Sequence, residues 1–129
     1  MNASMLEKKL PKKTIELSRM HIAYAAHMQA LTRLAGYQKL GPWESRLLDA
    51  LGSAWSANRK ISMQDATDLV ALEISTTTAQ RYLHSLADKG MIELALDSLD
   101  NRYKTVLPTP ATHRYFAQLG RCMQEALAR

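Results

Sequence analysis

The chain has 129 residues, 47% hydrophobic and 22% charged, which suits one ordinary domain with an extra element and excludes disorder throughout. Its longest apolar run, Ile22 to Ala26, is far below the ~20 residues that a membrane-spanning helix needs, so no membrane span is expected. Lysine and arginine outnumber aspartate and glutamate by 17 to 12, and the excess lies in residues 1–40, where Lys8, Lys9, Lys12, Lys13, Arg19, Arg33 and Lys39 face only Glu7 and Glu16.

The lysine-rich start has no apolar stretch behind it, so no secretory signal is expected. Pro11 suits a first helical turn, and a helix is predicted from Lys12 to Ala35, ahead of Gly36. Leu17, Tyr24 and Leu31 are seven apart, as are Met20, His27 and Leu34, with small alanines between them. Such a stripe must pack against something. Intrachain packing and dimerisation both satisfy it, and a coiled-coil-like seam favours a homodimer held by Leu17, Met20, Tyr24, His27, Leu31 and Leu34.

Gly41-Pro42-Trp43 opens a second helix, with Trp43, Leu47, Leu48, Leu51, Ala54 and Trp55 as its expected buried face. Ile61 is expected in one short strand. Ser62 followed by Asp65 forms a capping box for a third helix, predicted through Leu72. Glu73 stands in the turn that follows. Ser75 is the expected N-cap of a fourth helix over Thr76–Lys89, stopped by Gly90. Within it Ala79, Tyr82, Leu83 and Leu86 share one face, while Thr76, Thr77, Gln80, Arg81 and His84 share the other.

A hairpin is predicted next. Ile92, Leu94 and Leu96 should share one face of its first strand, and Tyr103, Thr105 and Leu107 one face of a return strand over Arg102–Leu107. Between them Asp97-Ser98-Leu99-Asp100-Asn101 is turn-prone. Thr109-Pro110 caps a last helix running to about Ala128. The fold class expected is mainly α with a small β-hairpin: a winged helix-turn-helix, with residues 1–40 as a basic segment and dimerisation helix, 41–108 as the winged domain and 109–129 as a C-terminal helix.

The stretch from Ile74 to Arg102 resembles the multiple-antibiotic-resistance regulator (MarR) family. The resemblance is carried by Ile74-Ser75, Thr78-Ala79, Arg81, Leu83, Leu86, Lys89-Gly90-Met91-Ile92 and the wing motif Asp100-Asn101-Arg102. It implies a homodimeric, DNA-binding transcriptional regulator, often one whose DNA affinity is changed by a small-molecule effector. The residues point the same way independently. An outer helix face of hydroxyls, an amide, a guanidinium and an imidazole, with no acid, suits a major groove of double-stranded DNA. The expected contacts are Ser75, Thr76, Thr77, Gln80, Arg81 and His84 on the helix, with Arg102 and Lys104 on the wing. A winged-helix module that binds another protein, without reading DNA sequence, is the alternative.

Other chemistry finds little support. The five glycines are scattered, and no nucleophile–base pair, phosphate loop or carboxylate pair stands at a working spacing, so no enzyme activity is expected. His21 and His27 are six apart on one helix and cannot share a metal, so neither a metal nor another cofactor is expected. The lone Cys122 gives no disulfide framework, which fits a cytoplasmic protein, and reads as an inert buried thiol.

Overall fold

A computed structural model describes residues 9–96, 99 and 103–128. Helix α1 spans Lys12–Thr32, α2 Pro42–Ser56, α3 Met63–Asp68 and α4 Thr76–Asp88; strands β1 (Glu93–Leu96) and β2 (Lys104–Leu107) follow, then helix α5 (Pro110–Leu127). The described residues fall into two compact units. One is Lys39–Arg114, and the other joins the chain up to Gln38 with the chain from Tyr115 onward.

In the unit Lys39–Arg114, local sequence sets each helix boundary. Pro42 sits in the first turn of α2, and the Gly41 amide donates to Glu44 Oε1 at 2.8 Å. Ser62 and Asp65 cap α3 reciprocally, each backbone N–H donating to the other's side chain at 3.0 Å. Ser75 Oγ accepts from the Thr78 amide at 3.2 Å and starts α4. Gly90, at φ 75°, ends α4 in the left-handed region that glycine enters without a Cβ penalty. At α5, Thr109 Oγ1 accepts from the Thr112 amide (3.2 Å), and the Thr109 amide donates to Thr112 Oγ1 (2.9 Å).

The core of this unit is Leu47, Leu48, Leu51, Ile61, Ala79, Leu83, Leu86, Met91 and Val106, all essentially sealed from solvent. The hairpin is antiparallel, with Glu93 opposite Leu107 and Leu96 opposite Lys104. Val106 is held from outside it: its amide donates to the Ile61 carbonyl at 2.7 Å, and its carbonyl accepts the Trp55 indole N–H at 3.1 Å.

Several expectations are corrected. α1 stops at Thr32, three residues early, so Leu34 lies beyond the helix and is exposed. α3 stops at Asp68, and residues 69–73 are turns rather than helix. Ile61 forms no strand; extended pairing is a single bridge from Ser62 to Thr105. Trp43, Trp55 and Tyr82 are half-buried, because each ring lies at the margin of its helix's apolar face. In the hairpin, Leu96, Tyr103 and Leu107 are exposed, whereas the adjacent Thr105 and Val106 are both buried. Strand alternation into one wet and one dry face therefore fails in β2, which pairs with β1 along one edge and with the Ile61–Ser62 segment along the other.

In the other unit, α1 and the later turns of α5 approach side by side. His27 Nδ1 lies 3.1 Å from Glu125 Oε2, and the Tyr37 and Tyr115 rings stand 6.0 Å apart between centroids. Ala23, Leu31, Tyr115, Cys122 and Ala126 are buried.

Candidate nucleic-acid interface

The inner face of α4 is fixed first. Ala79, Leu83 and Leu86 are fully buried, which leaves the helix no freedom to roll. Thr76, Thr77, Gln80, Arg81 and His84 are therefore all exposed, and no acid appears on the helix before Asp88. The sequence brings these five residues to one surface as expected. Ser75 serves the helix: its hydroxyl donates to Thr78 Oγ1 at 2.9 Å while capping the Thr78 amide. The Arg81 guanidinium lies over the neighbouring Tyr82 ring, 5.7 Å from its centroid, which limits its sweep without masking its donors.

On the hairpin, Lys104 is exposed at the start of β2, opposite Leu96 at the end of β1. Arg102, with Asp100 and Asn101, lies outside the described residues. So does Lys8 of the basic start. Lys13 is exposed and lies 3.6 Å from Glu16.

Two polar contacts that support α4 escaped the sequence reading. Glu44 is 5% exposed on α2. Its Oε1 accepts from Lys89 Nζ (2.7 Å) and the Gly41 amide (2.8 Å), and its Oε2 from Ser85 Oγ (2.7 Å). Burial alone pushes this carboxyl up, but those three hydrogen bonds and the Lys89 charge outweigh it and hold the group below its ordinary 4.5. The signal was present: Glu44 stands three, four and seven residues before Leu47, Leu48 and Leu51, on the buried face.

The second contact joins α2 to the turn before α4. Arg46 donates to Glu73 with both arms of its fork, Nε to Oε2 at 2.5 Å and Nη2 to Oε1. Its guanidinium also lies 5.6 Å from the Trp43 ring centroid. The hydrogen bonds from Arg46 hold the Glu73 carboxyl below its ordinary value, and the same bonds raise Arg46.

The seam residues of α1 divide. Leu31 is buried, Met20, Tyr24 and His27 are half-buried, and Leu17 is exposed with Leu34. Leu17, Met20, His21 and Tyr24 line one side of an opening of about 340 Å³, with Met123, Ala126 and Leu127 of α5 on the other. A wider groove of about 790 Å³ beside it is lined by Lys12, Ile15, Arg19, Ile22 and Ala23 among others. Cys122 is buried, and that burial, with Glu125 nearby, pushes its thiol up, away from a reactive thiolate. Among the described residues no cluster of three His, Cys, Asp or Glu could hold a metal, and no helix is long and apolar enough to cross a membrane.

Helices α2, α3 and α4, followed by the antiparallel hairpin, form a winged helix-turn-helix. No protein-family model matches the sequence, and no curated protein matches it. Solved structures do. MepR of S. aureus, in a structure bound to ethidium bromide, superposes with a TM-score of 0.65 at 16% identity, covering 92% of this chain and 79% of its own. The heme sensor protein PefR of Streptococcus agalactiae, in complex with heme, gives 0.54 at 17% over 97% and 76%. A variant of MarR from E. coli gives 0.51 at 17% over 90% and 76%. The chain has the winged-helix fold of these MarR-type regulators.

Proposed function

We propose that this protein is a transcriptional regulator that binds double-stranded DNA as a homodimer and reads sequence through α4. One observation carries it: Thr76, Thr77, Gln80, Arg81 and His84 form an exposed, acid-free surface on a helix whose other side is sealed into the core. Arginine and glutamine at this place can bond guanine and adenine bidentately, and threonine can meet an edge or a thymine methyl. Ser75 fixes the start of the reading helix and is the proposed phosphate contact at its N-terminus. Lys104 and Arg102 on the wing hold the duplex rather than read it.

Dimerisation is drawn from the unit that contains α1. Leu17, Ile22, Met123 and Leu127 are each more than half exposed there, along the two adjoining openings, and a monomer gains nothing by showing so much apolar surface. Leu17, Met20, Tyr24, His27 and Leu31 are the proposed α1 contribution, with Leu34 just beyond its end. The ethidium and heme in the similar structures support a small-molecule effector here also.

The decisive experiment measures four affinities at one salt concentration, for wild type and for Arg81→Ala, on a duplex selected from a genomic library and on a scrambled one. Arg81→Ala should cost about 1–3 kcal/mol on the selected site and far less on the scrambled duplex. Equal losses would make Arg81 a phosphate clamp only. A second reading, a winged-helix module that docks another protein, is favoured by exposed Leu72, Leu96, Leu99 and Tyr103 along the turn and hairpin. Absence of any duplex binding at about 20 mM salt would select it.

A further inference from the structure

The end of α4 that would enter a groove is the end with the least apolar support. Residues 69–75 lead into it, and of these only Val70 is buried, while Leu69 and Ile74 are half-buried. Leu72 is 103% exposed, and Ala71, Glu73 and Ser75 are exposed as well. The far end is secured differently, by Glu44 gripping Ser85 and Lys89. The near end is held locally by the Ser75 cap and by the Glu73 and Ile74 amides on the Val70 carbonyl, and its side-chain tie to another helix is the Arg46–Glu73 fork. Two parallel hydrogen bonds to a carboxylate fix orientation as well as distance. The Trp43 ring beneath the guanidinium narrows its alternatives further.

We propose that Arg46 and Glu73 are positioning residues for DNA reading: their bidentate pair sets the turn at 69–75, and through it the first turn of α4, without touching the duplex. This rests on α4 being the reading helix. The pair also neutralises the charge of Arg46, an exposed cation on the same unit. Glu73 thereby turns a cation into a strut. Base contacts demand placement finer than phosphate contacts do, so loss of the strut should damage discrimination before it damages affinity.

The test uses wild type, Arg46→Gln, Glu73→Gln and the double swap Arg46→Glu with Glu73→Arg. Each is measured on the selected and scrambled duplexes across a salt series, and by amide hydrogen exchange at Thr76–Thr78 without DNA. Both single variants should lose about three- to tenfold in discrimination, through weaker binding to the selected site, and should exchange faster at the start of α4. The swap should restore both quantities. Equal loss on both duplexes in Arg46→Gln, with a salt slope lower by about one, would mean a phosphate contact and overturn the proposal. Tighter binding to both duplexes in Glu73→Gln would reduce Glu73 to a mask and overturn it too, as would a swap that restores nothing. If wild type itself fails to discriminate, the reading role of α4 falls along with it. Discrimination in wild type that survives unchanged in both single variants overturns the strut alone.

Discussion

Replacing Glu44 by glutamine probes the buried carboxylate with almost no change of shape. The amide oxygen can still accept from the Gly41 amide, and Ser85 can turn its hydroxyl to meet the new NH2 group. What disappears is the charge. Hydrogen bonds to a charged group contribute about 1.5–3 kcal/mol, and neutral ones about 0.5–1.5. Three such bonds converge on one carboxylate and do not add independently, so the expected loss is about 1–3 kcal/mol at pH 7. With a urea slope of about 1–3 kcal/mol per molar, the midpoint should fall by roughly 1 M. Trp43 and Trp55 both lie on α2, so their fluorescence follows the element that carries Glu44. The folded carboxyl is held below 4.5, so its contribution is complete above that value and is lost as pH falls through the folded value. The deficit of Glu44→Gln should therefore be full at pH 7 and pH 6 and shrink below about pH 4.5. Lys89→Met should cost more than Glu44→Gln, towards about 3 kcal/mol, because it strands an ionised, 5% exposed carboxylate. A deficit under about 0.5 kcal/mol at pH 7, or one that is the same at pH 3.5, refutes the reasoning.

Further outcomes are expected at other positions. Gly90→Ala places a Cβ where nothing lies within 4 Å, so its cost is backbone strain alone, about 1–2 kcal/mol in urea unfolding; a neutral result would show that α4 can end another way. Leu48→Ala, at a fully buried site, should lose about 2–5 kcal/mol by the same assay. Thr112→Val removes a buried hydroxyl that donates to the Met91 carbonyl and accepts the Thr109 amide, leaving both without that partner, and should cost about 1–3 kcal/mol. Leu17→Glu combined with Leu127→Glu should yield a monomer in sedimentation if the exposed apolar groove is the dimer contact; an intact dimer would place the contact elsewhere.

The sequence was most legible where structure is local. Ser62 with Asp65, Ser75, Gly90 and Thr109 each mark a helix end within three residues of what they cap, and all four lie where expected. The outer face of α4 was equally plain, since one turn of periodicity separates it from Ala79, Leu83 and Leu86. Long-range partners were not. Glu44 meets residues 41 and 45 positions away, and Arg46 meets Glu73 at a separation of 27, so periodicity can mark Glu44 as facing the core but names neither residue's partner. The hairpin misled for the opposite reason. Alternation assumes one wet face, and Thr105 and Val106, which point to opposite faces, are both buried.

Val106 has a consequence for how the wing can vary. Both of its backbone groups bond outside the hairpin, to Ile61 and to Trp55, while its side chain is wholly buried. A slip of β2 by one residue would break two bonds to fixed neighbours and turn the valine outward, so the register is clamped at the hairpin's base. Insertions and deletions between Leu96 and Lys104 must then be absorbed at the tip, where they change only the wing's reach. A domain built this way can exchange its wing tip for a longer, shorter or differently charged one while α4 and its core stay untouched, which makes the tip the natural place for grafting.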